Sequence, residues 1–335
     1  MKAVIFAGGE GKRLYPLTHV VPKPLLPVAN KPMLEWVMDN ICKCTGIEEF
    51  VIINNYKAEL IESHVRGLDY RIELIREKEF LGTAGGLGLI GNKIDSDFIV
   101  WNSDTFAFFD FAALEACHRK GGSLCTVCVI GNDIRSQFGE MVVGPSGKMA
   151  GVREKPVFSH TVNTGIYMFS PRVFGHVGKG SMGMDVLLNS IISEVGCFRL
   201  GGRDVWVDIG NFATFIAANR ILLRMFGLRE KGGAACRLAG NYSVGPGARI
   251  GAGSSVRDSS IGEGAAIGAN TILESSVIFP GASIGDGCVI RDSIIGYGAS
   301  VAGGTFVCSS MMTGAAGGKG EGARLPGGCL QAHDE

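Results

Sequence analysis

The stretch Ala3-Val-Ile-Phe-Ala-Gly-Gly-Glu-Gly-Lys-Arg-Leu14 joins a short apolar run to a glycine-rich, basic loop. The run from Ala3 to Ala7 is too short to span a membrane or to form the hydrophobic core of a signal peptide, and it predicts a buried strand. The glycines after it lack Cβ atoms, so the backbone N–H groups of the loop can face an anion closely. The stretch therefore predicts a strand of an α/β sheet that leads into a phosphate-binding loop.

Composition limits the partners of the protein. The chain has 335 residues, 46% of them hydrophobic, which is enough for two domains with substantial cores. Lysine plus arginine equals aspartate plus glutamate at 32 each, so no overall field draws the protein to nucleic acid or to an anionic membrane. We expect neither partner, and phosphate binding must rely on local charges.

The 10 cysteines are scattered along the chain. Cys125 and Cys128 form a close pair inside an apolar run, without the second pair or the matching histidines that a zinc site usually needs. Thiols are therefore favoured over metal ligands and disulfides, which predicts a reducing, cytoplasmic location.

From residue 1 to about 225, short β-rich runs alternate with longer helical patterns. This alternation is typical of a wound α/β sheet with parallel strands, which binds ligands beyond the carboxyl ends of its strands. The predicted strands are Lys2–Ala7, Phe50–Asn54, Arg71–Ile75, Phe98–Trp101 and Leu124–Ile130. The predicted helices are Met33–Cys44, Lys57–Val65, Thr83–Leu89 and Phe111–Arg119. We expect the site at Gly8 and onward, after Ile75, and at residues 102–104.

A different periodicity follows a Gly- and Ala-rich connection. An aliphatic residue followed by glycine recurs about every six residues, at Val244, Ile250, Ile261, Ile267, Ile284 and Ile295. Such repeats stack into a β-helix with the aliphatic side chains inward and small residues at the corners. A glycine-rich linker would not keep this spacing, so the pattern predicts a β-helix.

Two common phosphate motifs are excluded at the loop. Leu14 stands where the dinucleotide fingerprint Gly-x-Gly-x-x-Gly needs its third glycine. Lys12 is not followed by the Ser or Thr that holds magnesium in a Walker-type loop, and it lacks a glycine at the right distance upstream. The loop belongs to another class of phosphate site.

The remaining pattern is Gly8-Gly-Glu-Gly-Lys-Arg-Leu-Tyr-Pro-Leu-Thr18, then Pro22-Lys-Pro-Leu-Leu-Pro27. It closely resembles the NDP-sugar pyrophosphorylases, which are sugar-1-phosphate nucleotidyltransferases. Four later segments extend the resemblance over residues 1 to about 220, and Ser103 replaces the usual glycine in the first of them. These segments are Trp101-Asn-Ser-Asp104, Glu154-Lys-Pro156, Asn163-Thr-Gly-Ile-Tyr167 and Trp206-Val-Asp-Ile-Gly210.

The resemblance implies an α/β fold in two parts, a Rossmann-like mixed sheet nucleotidyltransferase domain followed by a left-handed β-helix of hexapeptide repeats. We expect the catalytic domain at residues 1–228, a linker at 229–243 and the β-helix at 244–306. The repeat pattern is absent from residues 307–335. We predict that this stretch is a flexible tail, and we assign it no function.

The resemblance also implies roles for individual residues. In the family, the arginine matching Arg13 grips the triphosphate and the departing pyrophosphate, and Asp104 and Asp208 match carboxylates suited to the implied cofactor, Mg²⁺. The implied catalytic residues are Arg13, Lys23, Asp104, Lys155 and Asp208. The implied nucleotide site comprises Ala7, Gly8, Gly9, Gly11, Lys12, Arg13, Lys23, Glu77, Gly82 and Thr83. The implied sugar-phosphate site comprises Gly139, Glu154, Lys155, Asn163 and Gly165.

The segment from Arg76 to Gly86 matches the family's base-reading loop. Its Leu81-Gly-Thr-Ala-Gly85 resembles the mannose-1-phosphate guanylyltransferases more than the thymidylyl enzymes. Glu77 occupies the position at which thymidylyl members of the family have a glutamine that contacts the base. A carboxylate, unlike an amide, can only accept hydrogen bonds. Guanine offers two adjacent donors, whereas the carbonyls of thymine and uracil would repel a carboxylate at a cost of about 1–3 kcal/mol. GTP with mannose 1-phosphate is favoured over dTTP or UTP with glucose 1-phosphate, and a solvent-facing Glu77 is the competing interpretation.

Two other functional classes compete with this hypothesis. Hexapeptide β-helices also form acyltransferases that commonly use a histidine base, but no histidine lies at 244–306. A non-catalytic regulatory subunit would be expected to lose a magnesium carboxylate or a basic residue of the loop, and all of these are present. We expect an active enzyme that binds a nucleoside triphosphate and a hexose 1-phosphate and assembles as a homo-oligomer through the β-helix.

Overall fold

The computed structural model describes residues 1–178, 180–226 and 236–314. Its first part, the α/β domain, ends with the last helix before residue 227. The strands of this domain are β1 (Ala3–Ala7), β2 (Pro27–Val28), β3 (Lys31–Pro32), β4 (Glu49–Asn54), β5 (Arg71–Arg76), β6 (Phe98–Asn102), β7 (Thr105–Phe108), β8 (Cys125–Arg135), β9 (Glu140–Val143), β10 (Met149–Arg153), β11 (Val157–Phe169), β12 (Val195–Leu200) and β13 (Val205–Asp208). Its helices are α1 (Leu17–Val20), α2 (Met33–Thr45), α3 (Ala58–Val65), α4 (Gly82–Gly85), α5 (Phe111–Gly121), α6 (Met184–Ser190) and α7 (Phe212–Phe226). Single 3-10 turns lie at Lys12–Leu14, Lys23–Leu25, Gly86–Leu89, Pro171–His176 and Ile192–Glu194.

A seven-stranded sheet in the order β12-β8-β11-β6-β1-β4-β5 forms the centre of the α/β domain. Strand β11 runs antiparallel to both of its neighbours, and the other neighbouring strands are parallel. Helices cover both faces, so β1 is apolar throughout, and Ala3, Val4 and Ile5 are fully buried. The Rossmann-like mixed sheet is confirmed.

The predicted helix at Thr83–Leu89 was wrong in part. The segment forms the short helix α4 and then a 3-10 turn, and Ala84 and Gly85 donate their N–H groups to the carbonyl of Met182. A Cβ atom at Gly85 would lie 2.6 Å from the carbonyl oxygen of Gly180. The glycines here permit close packing of two loops instead of continuing a helix.

The second part of the chain is a stack of three parallel sheets built from two- and three-residue strands, as expected for a left-handed β-helix. The inward side chains of one sheet, Val256, Leu273, Ile290 and Val307, are at most 1% exposed. The strands are β14 (Arg237–Ala239), β15 (Ser243–Val244), β16 (Arg249–Ile250), β17 (Ser255–Arg257), β18 (Ser260–Ile261), β19 (Ala266–Ile267), β20 (Ile272–Glu274), β21 (Val277–Ile278), β22 (Ser283–Ile284), β23 (Val289–Arg291), β24 (Ile294–Ile295), β25 (Ser300–Val301), β26 (Phe306–Cys308) and β27 (Met311–Met312).

The β-helix extends beyond the predicted range of 244–306 at both ends. Strand β14 pairs with β17, and strands β26 and β27 pair with β23 and β24. Leu238 and Val307 lie on the sheet of β14, β17, β20, β23 and β26, whose inward residues are not followed by glycine, so the aliphatic–glycine pattern does not mark these strands. Strands at 307–312 thus belong to the β-helix, as does β14 within the predicted linker; residues 229–235 of that linker and the predicted tail from 315 onward lie outside the described residues.

One outer face of the β-helix packs against the α/β domain around α7. The buried Asn219 accepts hydrogen bonds from the backbone N–H of Ala29 at 2.8 Å and from the hydroxyl of Ser260 at 2.9 Å. Asn30 donates to the carbonyl of Ile261 at 2.8 Å.

Across the described ranges, each helix is too short or too polar to cross a membrane.

Asn219→Ala should weaken the contact between the two parts of the chain. The substitution removes the acceptor of the Ser260 hydroxyl, which lies across the contact, and of the buried N–H of Ala29, so we expect the free energy of unfolding to fall by about 1–3 kcal/mol. Calorimetric melting would measure this, with Asn92→Ala at an exposed position as the control. Equal melting temperatures for the two variants would contradict this role of Asn219.

Candidate functional site

The glycine loop begins where β1 ends and folds into the turn at Lys12–Leu14. Gly11 has a φ of 67°, and a Cβ atom there would lie 3.0 Å from Thr18 Cγ2 and 3.1 Å from Lys23 Cβ. The Thr18 hydroxyl donates to the carbonyl of Gly11 at 3.1 Å, and the Leu14 N–H donates to the same carbonyl at 2.9 Å. Only glycine fits this position without strain, and its neighbours fix the direction of the loop.

An ion pair joins the loop region to the carboxyl end of β6. The ammonium group of Lys23, whose residue is only 8% exposed, lies against the Oδ2 atom of Asp104. Asp104 stands in the turn between β6 and β7. The pair therefore places a cation and a carboxylate together at the carboxyl end of β6.

Asp208 ends β13, which pairs with β7 so that Asp208 lies opposite Thr105. The N–H of Ile209 donates to the carbonyl of Asp104 at 3.0 Å, so the two aspartates lie at the same end of this strand pair. A Cβ atom at Gly210 would lie 3.3 Å from Arg13 Nη2, which places the guanidinium beside the same segment. Cations from the loop and carboxylates from two strands thus converge.

The two carboxylates suit a hard divalent cation, because oxygen ligands are those that Mg²⁺ prefers. Among residues 1–178, 180–226 and 236–314, no group of three or more His, Cys, Asp or Glu side chains is arranged to hold a metal ion. A cation held by Asp104 and Asp208 would need further oxygen ligands from substrate phosphates and water, which is usual for Mg²⁺.

Glu77 follows β5 and is buried, with 5% of its surface exposed. Cβ atoms at Gly8 and Gly86 would each lie 3.0 Å from its carboxylate oxygens, so the carboxylate fits between two glycines. Burial raises the pKa of Glu77, and a hydrogen bond from the Leu81 N–H opposes the rise. The solvent-facing interpretation of Glu77 is therefore wrong.

Gly82 and Thr83 continue the wall of the cleft beyond Glu77. Gly82 has a φ of 76°, and a Cβ atom there would lie 2.5 Å from the carbonyl oxygen of Met182. The Thr83 hydroxyl accepts a hydrogen bond from the N–H of Met184 at 2.8 Å. These contacts fix the loop that faces Glu77.

These side chains line one open cleft of about 300 Å³ at the carboxyl ends of the strands. Ala7 is buried behind the cleft at the end of β1, and Asp208 borders it through Gly210. The predicted residues that line it are Gly8, Gly9, Gly11, Lys12, Arg13, Lys23, Glu77, Gly82, Thr83 and Asp104.

The sequence-based site missed several lining residues. Asn102, Ser103 and Gly210 belong to quoted motifs and could have been included on that ground. Phe6 and Ile53 alternate with residues that face the other side of the sheet, Phe80 lies within the segment Arg76–Gly86, and Pro24 follows Lys23. When both faces of a strand are buried, its sequence is apolar throughout and does not show which side chains point toward the cleft.

The predicted sugar-phosphate residues do not line this cleft. Glu154 and Lys155 are exposed between β10 and β11, and Asn163 is exposed on β11. A Cβ atom at Gly139 would lie 3.1 Å from a carboxylate oxygen of Glu154, so these two residues lie together. Lys155 has a φ of 42°, an unusual backbone conformation for a lysine that often marks functional positions.

Gly165 connects this surface to the cleft. It has a φ of 78°, and a Cβ atom there would lie 2.5 Å from the amide nitrogen of Asn102, which lines the cleft. Asn163 accepts the Gly165 N–H at 2.9 Å, and its own amide donates to the hydroxyl of Tyr167 at 2.7 Å. The cleft and the exposed surface are therefore adjacent parts of one edge of the sheet.

Comparison with known proteins agrees with both parts of the chain. A family model described as nucleotidyl transferase matches residues 2–224, and one described as the GMPPB C-terminal domain matches residues 238–318. The mannose-1-phosphate guanylyltransferase catalytic subunit beta of Danio rerio is 33% identical over 75% of this chain and 73% of its own length. A UTP–glucose-1-phosphate uridylyltransferase of Synechocystis is 29% identical over 67% of this chain and 63% of its own length.

A solved structure shares the fold. It is provisionally described as a glucose-1-phosphate thymidylyltransferase from Bacillus anthracis, with a TM-score of 0.54 and 24% identity. The match covers 66% of this chain and 94% of that one. At this identity the likeness supports the fold alone.

The raised pKa of Glu77 predicts a pH-dependent stability difference. The folded protein holds the Glu77 proton more tightly than the unfolded chain does, so wild type loses stability as the pH rises from the ordinary glutamate pKa through the raised one. Glu77→Gln removes this loss, so its free energy of unfolding should increase relative to wild type across that window. Urea unfolding from about pH 4 to 8 would measure it.

Glu79→Gln, at an exposed position in the same loop, is the matched control for removing a carboxylate. The stability difference between Glu77→Gln and wild type should change with pH and exceed that of Glu79→Gln. If it does not change with pH, or equals that of Glu79→Gln, the Glu77 carboxylate is not buried.

Proposed function

The chain belongs to the nucleotidyl transferase family, and from this we propose that it joins the nucleotidyl group of a nucleoside triphosphate to a hexose 1-phosphate, giving an NDP-sugar and pyrophosphate. The observation that carries the proposal is the convergence of Arg13 and Lys23 from the glycine loop with the carboxylates of Asp104 and Asp208. Cations for a triphosphate and ligands for a metal ion lie within one edge of the sheet.

The reaction needs no protein nucleophile. A phosphate oxygen of the sugar 1-phosphate forms a bond with the α-phosphorus, the bond from the α-phosphorus to the oxygen that bridges to the β-phosphorus breaks, and pyrophosphate leaves with the electron pair. The approaching groups are both negative, so the protein must supply positive charge and alignment. Arg13 would pair with the phosphates that become pyrophosphate, through two parallel hydrogen bonds.

Asp104 and Asp208 would hold Mg²⁺. When bound, this cation supplies positive charge that lowers the repulsion between the two phosphates. Lys23, whose ammonium group lies against the Asp104 carboxylate, would bind a phosphate oxygen.

We place the sugar phosphate on the exposed surface between β8 and β11. Lys155 would bind its phosphate, and Glu154, Asn163 and the backbone near Gly139 and Gly165 would bind the sugar hydroxyls. The contact of Gly165 with Asn102 supports this placement, because it brings the surface next to the nucleotide cleft. The second substrate would therefore approach from the side of Asn102.

We assign guanine as the base because of the buried Glu77. Its carboxylate lies in the cleft wall and would accept hydrogen bonds from the N1–H and 2-amino groups of guanine. Mannose 1-phosphate follows from the names of relatives that are 33% and 31% identical. Uridylyl transfer to glucose 1-phosphate is the alternative, favoured by the Synechocystis relative at 29% identity.

The cellular setting is also a proposal. We expect a cytoplasmic enzyme, and we expect the β-helix to join subunits into a homo-oligomer through a face that does not contact the α/β domain. Its sheet of β14, β17, β20, β23 and β26 offers such a face, because Ile272 on it is 39% exposed.

The substrate assignment predicts the outcome of a matrix assay. Purified protein with Mg²⁺ is mixed with each of GTP, dTTP, UTP, ATP and CTP and with mannose, glucose or N-acetylglucosamine 1-phosphate, and pyrophosphate release is measured. We expect release only when both substrates are present, with the highest rate for GTP and mannose 1-phosphate. Mixtures that lack the sugar phosphate are the control for simple triphosphate hydrolysis.

The assay tests the enzymatic function and the choice of base separately. No pyrophosphate in any mixture would contradict the enzymatic function. A clear preference for dTTP or UTP would contradict only the role of Glu77 in selecting guanine.

A further inference from the structure

The β-helix packs directly against the phosphate loop. Leu14 and Leu17, which flank the loop's turn and its first short helix, are fully buried in one apolar cluster with Phe279, Ile294 and Met311 of the β-helix. The loop therefore has the α/β sheet on one side and the β-helix on the other. Leu14 and Leu17 could not move without disturbing this cluster.

Gly296 of the β-helix lies close against Leu17. A Cβ atom at this residue would lie 3.0 Å from Leu17 Cδ2, which is closer than ordinary van der Waals contact. The next residue, Tyr297, packs against the same cluster, and its ring centroid lies 4.9 Å from that of Phe279. Burial raises the pKa of Tyr297 to about 12. This turn of the β-helix thus forms a close-fitting support beneath Leu17.

Hydrogen bonds continue from Leu17 to the phosphate site. The neighbouring Thr18 donates its hydroxyl to the carbonyl of Gly11, and its own carbonyl accepts the hydroxyl of Tyr56 at 3.0 Å. Gly11 precedes the turn that carries Lys12 and Arg13. A displacement of Leu17 would therefore shift Thr18 and, through Gly11, the guanidinium that faces the cleft.

We propose that the β-helix turn at Gly296–Tyr297 is a positioning element for the phosphate loop, so that the β-helix sets the affinity of the catalytic cleft for the nucleoside triphosphate. The effect on substrate rests on the proposed function; the effect on the loop does not. A rigid loop binds phosphate more tightly, because less order must be imposed on binding.

Gly296→Ala in the full-length chain tests the proposal, with Gly298→Ala as the matched control. The new methyl group at residue 296 would press on Leu17 and on two atoms of the last coil, Thr313 Cγ2 at 2.9 Å and the Met312 carbonyl oxygen at 3.0 Å. A methyl group at Gly298 meets nothing within 4 Å, although its φ of 59° makes alanine unfavourable there. Both variants strain the same turn, but only the first presses on the loop.

We expect Gly296→Ala to raise the KM for the triphosphate by about five- to tenfold, because small displacements of phosphate ligands are costly. The KM for the sugar 1-phosphate should stay within about twofold of wild type, since its site lies on another part of the sheet. Amide hydrogen exchange at Leu14 and Tyr15, whose N–H groups bond within the loop, should quicken in Gly296→Ala and not in Gly298→Ala.

A double variant separates loop displacement from general loss of stability. Leu17→Val lacks the Cδ2 atom, so adding Gly296→Ala in that background should change the triphosphate KM and the exchange less than it does in wild type. Equal effects of Gly296→Ala and Gly298→Ala, or no relief from Leu17→Val, would overturn the proposal. If no substrate pair supports turnover, the exchange measurements still decide between these outcomes, and only the proposed function fails.

Discussion

The ion pair between Lys23 and Asp104 is the interaction on which the site depends. It joins residues 81 positions apart in sequence, and the lysine is almost fully buried. Burying the ammonium group of Lys23 without a partner would be unfavourable, and Asp104 at the carboxyl end of β6 supplies both a hydrogen-bond acceptor and a counter-charge. The same pair keeps Asp104 turned toward the cleft, where a metal ion and two phosphates would have to meet.

The rest of the structure supports this pair from three directions. Strand β13 fixes Asp208 next to Asp104 through its pairing with β7, and it brings Gly210 against Arg13. The β-helix packs beneath Leu17 and so supports the loop from below. A site that must align two negative substrates gains from such rigidity, because the charges that stabilise the transition state need no rearrangement during the reaction.

The sequence predicted the parts of this arrangement that depend on local chemistry. Strands such as β1, the glycine loop and the motif residues of the cleft follow from apolar runs, glycine spacing and the family pattern. The antiparallel placement of β11, the burial of Glu77 and the packing of Leu17 against Gly296 arise from contacts between distant segments, which no local pattern encodes. The ends of the β-helix were missed because Leu238 and Val307 lie on the sheet whose inward residues are not followed by glycine.

The central claim, that Asp104 serves the reaction and not only the fold, is tested most directly by the turnover of Asp104→Asn. Asparagine keeps an oxygen that can accept from Lys23 but lacks the charge to hold a cation, so the fold should survive while kcat falls by about 10²–10³. Pyrophosphate release with Mg²⁺ and the preferred substrates would be measured beside the melting temperature. Turnover close to wild type, or loss of turnover only because the protein is unfolded, would contradict the account.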